Sequence, residues 1–165
     1  LVDTYACDDS LTTIFSGVCN VQRYCTAKPS SCGTLPQIRS NGLASATASC
    51  GFVLRGTRAR KDKTGILLYT DQGPDNRPFQ GGTLCVESTG LRRSVPVVAV
   101  GGSSGAACES EFVLDWNAFA SGALGGNPAA YTRVLGTRIS AQWWGRDSPA
   151  HGSYLSDALH FIVCS

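Results

Sequence analysis

The sequence has 165 residues, a formal net charge of +2 and only 16% charged residues, with Gly, Ser, Thr and Ala plentiful. That leanness excludes a charged helical protein, the small net charge gives no ground for nucleic-acid binding, and no apolar run approaches the roughly 18 residues of a membrane span. One compact β domain with many turns fits the composition, and the chain is long enough to bury a core.

In chain order, residues 1–23 stand apart, with little alternation and two cysteines of their own, Cys7 and Cys19. They are expected to form an N-terminal arm or a small disulfide loop closed by Cys7 and Cys19, and the arm is the piece most suited to reach another subunit. Residues 24–165 form the main domain. "ASATASCGFVLRG" sets Phe52 and Leu54 on one face of a strand, and "GILLYTDQGPDN" carries Ile66 and Leu68 into turn chemistry at Gly73–Asn76. "GGTLCVES" aligns Leu84 with Val86, and "RRSVPVVAVGG" is an edge or bulged strand because Pro96 lacks a ladder donor. "SEFVLDWNAF" aligns Phe112, Leu114 and Trp116, and Asn117–Leu124 has room for one helical turn. "RVLGTRISAQWWGRD" is the longest strand candidate, and "SDALHFIVCS" closes the chain with Leu159, Phe161 and Val163 on one face. The expected fold is all-β: a disulfide-stapled antiparallel β-sandwich of seven to nine strands with an N-terminal arm, a closed barrel being the alternative.

The eight cysteines are Cys7, Cys19, Cys25, Cys32, Cys50, Cys85, Cys108 and Cys164. Their number is even, no two form a C-x-x-C pair, and neither His151 nor His160 completes a zinc spacing, although Cys164 follows His160 by four residues. Disulfides in an oxidising compartment are the expectation. The sequence contains no Met, so it is expected to begin after a cleavage, as a mature secreted chain.

Candidate chemistry is sparse. "GGSSG" at 101–105 satisfies G-x-S-x-G around Ser103, but a strand follows where a nucleophile elbow needs a helix, so a flexible Gly/Ser loop is expected. Glu109, Glu111, Asp115, Asp147 and Asp157 are possible glycosidase carboxylates, although nothing places two of them across a cleft. Asp147 and Asp157 are expected instead to accept hydrogen bonds in loops or to pair with Arg146. Asp71, Asp75 and Asn76 lack calcium-loop spacing and suit a turn. The basic run Arg55–Lys63 either attracts an anionic polymer or forms a soluble hairpin turn, and no aromatic residue interleaves with it. In "QWWGRD", alternation puts Trp143 with Ile139 and Ala141 in the core and Trp144 with Arg138, Ser140, Gln142 and Arg146 on the other face. Trp144 is expected to lie against Arg146, and with Tyr154 these form a possible ligand-binding surface. A bulge at Gly145 would reverse the assignment beyond it.

The motifs "YCTAKPSSCGTLPQI", "PFQGGTLCV", "LRRS" and "AQWWGRD…LSDALHF" together resemble an uncharacterised domain at the C-terminal end of secreted planctomycete-type bacterial proteins, over about residues 24–165. The resemblance implies an extracellular or cell-surface location and no known activity. It also implies the pairs Cys25–Cys32 and Cys85–Cys108, leaving Cys50 for Cys164. The expected function is a non-catalytic structural module of a fibre, layer or adhesin, self-associating or joined to other envelope proteins. The alternative is a carbohydrate-binding module using exposed aromatic and basic residues. No cofactor, metal or membrane span is expected.

Overall fold

Apolar and β-branched runs between glycine- and proline-rich turns become strands in a computed structural model that describes residues 19–102 and 108–165. In chain order these are β1 (Gln22–Tyr24), β2 (Gln37–Gly42), β3 (Phe52–Ala59), β4 (Thr64–Thr70), β5 (Pro74–Phe79), β6 (Gly82–Val86), β7 (Arg92–Arg93), β8 (Val97–Val98), β9 (Ser110–Asp115), β10 (Arg138–Arg146) and β11 (Ser153–Ile162). One short helix, α1 (Trp116–Ala120), follows β9, and a 3-10 turn spans Ala130–Arg133. β1, β7 and β8 are two or three residues long, and the eight longer strands fall within the expected range.

The strands form an antiparallel β-sandwich. A large sheet takes the order β1-β11-β10-β4-β7, with β8 also on β4, and faces a smaller sheet of order β2-β3-β9. Register sets Leu67 opposite Trp143 and Tyr69 opposite Ala141, with Leu159 and Phe161 continuing the same face across β11. These side chains meet Phe52, Leu54, Phe112 and Leu114 from the smaller sheet in one cluster that Trp116 and Phe119 of α1 join. Each large side chain buried there contributes about 1.5–3 kcal/mol.

Between the sheets Phe112 stacks on Trp143, with ring centroids 5.3 Å apart, and on Tyr154, at 6.3 Å. Three backbones approach these rings too closely for any side chain. A Cβ on Gly65 would lie 2.5 Å from the Phe112 ring, one on Gly145 2.5 Å from Tyr154, and one on Gly56 2.9 Å from Trp143. Gly145 makes no bulge. The register shift falls where Ser156 and Asp157 of β11 oppose Trp143 alone, so the alternation holds through Arg146.

The large sheet is also covered on its outer face. β5 and β6 form a separate hairpin, whose Leu84 and Val86 bury against Leu68, with Ile66, Phe79, Leu91 and Trp144 packed alongside. Gly73–Asn76, expected to be a turn, instead enters β5. Pro74 and Pro78 are tolerated because this two-stranded ribbon needs ladder donors on one side only. The hairpin turns at Gln80–Gly81, with φ of 49° and 78° and Phe79 paired to Gly82, a two-residue turn of the kind that matches strand twist. The basic run is not a hairpin either: β3 and β4 lie in different sheets, and Arg60–Lys63 is the arch between them.

All of the proposed cysteine pairings are overturned. The structure forms Cys19–Cys164, Cys25–Cys85 and Cys32–Cys108, with sequence separations of 145, 60 and 76. Cys50 is also disulfide-bonded, but not to Cys164. Cys7 lies outside the described residues, and the bond of Cys19 to Cys164 removes the local Cys7–Cys19 loop. The antiparallel ladder explains the long-range partner of Cys19. β1 pairs Gln22 with His160, so the same register carried back three residues sets Cys19 opposite Val163, one residue from Cys164. The chain then continues along β11, where Lys28 bridges Leu155. This directs Cys25 to the β6 hairpin and carries Cys32 on to Cys108, separating the two cysteines expected to pair. Residues 22–28 thus fill the β11 edge of their own sheet.

Peptide mapping of unreduced protein is expected to recover these three cross-linked pairs; a Cys25–Cys32 peptide would contradict the ladder. Gly65→Ala is expected to cost about 1–3 kcal/mol by overpacking, read as a lower urea midpoint. Adding Phe112→Leu should recover part of that loss, because the two positions contest one space.

Candidate functional site

Most candidate polar residues turn out to hold loops and strands in place. Asp147 follows β10 with its carboxylate fully buried (side chain 0% exposed). It accepts from the Ser31 N–H at 2.7 Å, the Ser31 hydroxyl at 2.5 Å and the Ser148 N–H at 2.7 Å, with Arg60 at 3.7 Å. Burial alone pushes its pKa up, but the hydrogen bonds from Ser31 and Ser148 and the Arg60 charge outweigh it and hold the carboxyl below its ordinary value. Asp157, in the β11 bulge, accepts from Arg23 Nε at 2.9 Å and from the Ile38 N–H at 2.8 Å, which ties β1, β2 and β11 together. Neither aspartate pairs with Arg146, the partner expected from sequence, because each is directed to a segment far away in the chain.

The other carboxylates are similarly engaged. Asp115 caps α1 by accepting from Ala118 N and also holds Gly51 N, while Glu111 pairs with Arg55 at 3.0 Å. Asp75 pairs with Arg77 and accepts from Asn76 N, and Asp71 accepts from Gln72. Within the basic run, Arg58 donates to the Leu35 carbonyl and Arg60 donates to the Ser31 hydroxyl, so three of its arginines are committed to neighbours. Among the described residues no group of three His, Cys, Asp or Glu is placed to hold a metal ion. Ser103 lies outside the described residues.

The two tryptophans separate as the alternation requires. Trp143 is 1% exposed in the core, and Trp144 is half-buried on the outer face against the hairpin cluster. The guanidinium of Arg146 lies over the Trp144 ring, 5.7 Å from its centroid. Tyr154 does not join them. It is 1% exposed, stacked on Phe112, and its hydroxyl accepts from the Arg60 N–H. Burial keeps this phenol protonated far above the ordinary range. Its register explains the miss: Tyr154 faces Gly145, a core-side position, whereas the aromatic surface was expected on the other side.

A shallow open cleft of about 360 Å³ takes its place, lined by Trp144, Arg146, His151, Gly152 and Ser153 around the β10–β11 turn and by Lys28 and Gln80. Gln80 organises it. Its side-chain oxygen accepts from Trp144 Nε1 at 2.8 Å and from the Ser153 hydroxyl, and its main-chain carbonyl accepts from Lys28 Nζ at 2.6 Å. His151 meets the Ser148 hydroxyl through Nδ1 at 3.1 Å. Trp144 and Arg146 were legible from alternation. Lys28 and Gln80 were not, being brought in by the Lys28–Leu155 bridge and the hairpin. The "FQGG" turn was the one available signal for Gln80.

The chain matches no protein-family model, no curated protein and no solved structure in the comparisons made. No helix among the described residues is long and apolar enough to cross a membrane.

The Asp147 carboxylate should stabilise the fold fully above the usual carboxylate pKa of about 4 and lose that contribution as pH falls through its lower folded-state value. Asp147→Asn is expected to lower stability at pH 7 by about 1–3 kcal/mol and to flatten the acid limb of a stability-against-pH curve measured by denaturant unfolding.

Proposed function

We propose that this chain is a secreted, non-catalytic structural module that carries load within an extracellular or cell-surface assembly. The observation behind this reading is the Cys19–Cys164 bond, which joins two points 145 residues apart at a Cα–Cα distance of 6.3 Å. Tension applied across residues 19 and 164 runs through a covalent link and leaves the sandwich unloaded. Cys25–Cys85 and Cys32–Cys108 fasten the entry segment at two further points. In the loop-entropy model each of these closures contributes about 4–5 kcal/mol on its own, in overlapping rather than additive fashion. The reading is supported further by the commitment of the aspartates to structural partners. Disulfides of this kind persist in oxidising surroundings.

The N-terminal arm was expected to reach a neighbouring subunit. Residues 22–28 already occupy the β11 edge of their own sheet, so a donated strand would have to use another edge or residues before 19. Removing residues 1–18 is expected to disperse the assembly, as seen by light scattering and electron microscopy. A protein that is wholly monomeric before that deletion would refute the assembly.

Single-molecule pulling tests the load path. The oxidised module should show no release of the enclosed chain, whereas reduction should lengthen its contour by about 500 Å, from 145 residues at roughly 3.3–3.6 Å each. The same release from oxidised protein would overturn it.

A further inference from the structure

The Trp144–Arg146 cleft presents hydrogen-bond donors and positive charge, and no carboxylate is among the described residues that line it. Arg146 makes the ring contact with Trp144, and no described residue accepts a hydrogen bond or forms an ion pair with its guanidinium. Its neighbour Asp147 turns inward to Ser31 and Arg60 and makes no ion pair with Arg146. Across the cleft, Lys28 spends one N–H on the Gln80 carbonyl and keeps its others. The side-chain oxygen of Gln80 is taken by Trp144 and Ser153, which leaves its amide NH2 as the group available to a ligand. That side chain projects from a turn residue with φ of 49°, a conformation that favours Gly or Asn and so disfavours glutamine. The donors therefore converge from three separate segments, 28, 80 and 146: Gln80 holds Lys28 through its main-chain carbonyl and Trp144 and Ser153 through its side chain, and Trp144 carries Arg146.

We infer that this cleft binds the acidic groups of an anionic polysaccharide, with Arg146 and Lys28 taking the carboxylate or sulfate and the Gln80 amide a neighbouring sugar oxygen. Trp144 is a positioning residue here. Its ring face carries the guanidinium and so does not serve as a bare platform for a neutral sugar, and cation–π contact pre-orders a long side chain that would otherwise lose rotamer freedom on binding. The volume of about 360 Å³ lies at the small end for ligand sites and suits a single charged sugar unit of a polymer passing along an open groove. A nucleic-acid track is disfavoured. It needs a run of uncompensated cations, and the densest basic run loses Arg55 and Arg60 to Glu111 and Asp147. This site does not rest on the load-bearing role: it requires the hairpin, the β10–β11 turn and the Lys28–Leu155 bridge, none of which includes the Cys19–Cys164 link.

The test is isothermal titration of the oxidised, full-length protein with polygalacturonate, a sulfated dextran, unmodified dextran and polyglutamate at low and high salt. One or both acidic polysaccharides should bind, the tighter of the two identifying carboxylate or sulfate as the natural group, with affinity falling as salt rises and no binding to dextran. Arg146→Gln and Lys28→Gln should each weaken binding about tenfold. Trp144→Ala should weaken it severalfold and Trp144→Phe restore most of the loss, while near-ultraviolet circular dichroism shows each variant folded. Lys61→Gln, on the arch between the sheets, should leave affinity unchanged. The inference is overturned if neither acidic polysaccharide binds, if polyglutamate binds as tightly as they do, or if Lys61→Gln matches the effect of Arg146→Gln.

Discussion

The spacing of the two sheets rests on the Phe112 ring, which stacks on Trp143 and Tyr154 where the backbones of Gly56, Gly65 and Gly145 leave room for them. Aromatic bulk and missing Cβ atoms are complementary here: Phe112 and Trp143 fill the space that side chains at Gly65 and Gly56 of the facing sheet would claim, and Tyr154 that of its strand neighbour Gly145. Much else follows from that fit. With Gly145 on the inner face, Trp144 and Arg146 fall to the outer one, and with Tyr154 drawn inside, its hydroxyl meets the arch at Arg60. The same rings thus close the core and decide which side of the sheet is left for recognition.

A sheet covered on both faces creates a second problem, the burial of polar groups beneath the hairpin. Gln142, fully buried, answers it by accepting from Cys85 N and donating to the carbonyls of Thr83 and Ser156. Asn117 does the same under the Leu43–Cys50 loop, accepting from Ser45 N and donating to the Leu43 and Cys50 carbonyls. A buried amide fully satisfied in this way fixes one arrangement of the surrounding backbone, since any other leaves donors without acceptors. Together with Asp147 and Asp157 these side chains fasten the irregular segments that strand pairing cannot reach.

Local pattern carried the strands and both tryptophan faces: alternation in β3 and β9 reports burial residue by residue, while in β10, buried on both sides over residues 139–143, it reports only which face each tryptophan takes. It could not report that β4 and β11 are buried on both sides, since a strand between two layers loses its polar face. β5 was hidden for the opposite reason: its prolines and asparagine read as a turn, and only pairing with β6 makes it a strand. The disulfides depend on the register between β1 and β11, a relation between segments more than a hundred residues apart that no local spacing encodes. For the same reason half of the cleft was legible, Trp144 and Arg146 from one strand, and half was not.

The disulfides also impose an order in time. In a chain that emerges N-terminus first, Cys25 waits for residue 85, Cys32 for residue 108 and Cys19 for residue 164, so the first of these cysteines to appear is the last to find its partner. Meanwhile Cys19, Cys25 and Cys32 lie within a few residues of one another, and short loops close at lower entropic cost than long ones. Pairs among neighbours are the natural early products, and each must be undone by thiol–disulfide exchange before β1 can settle on β11. A chain built this way cannot complete its disulfides until residue 164 has been delivered.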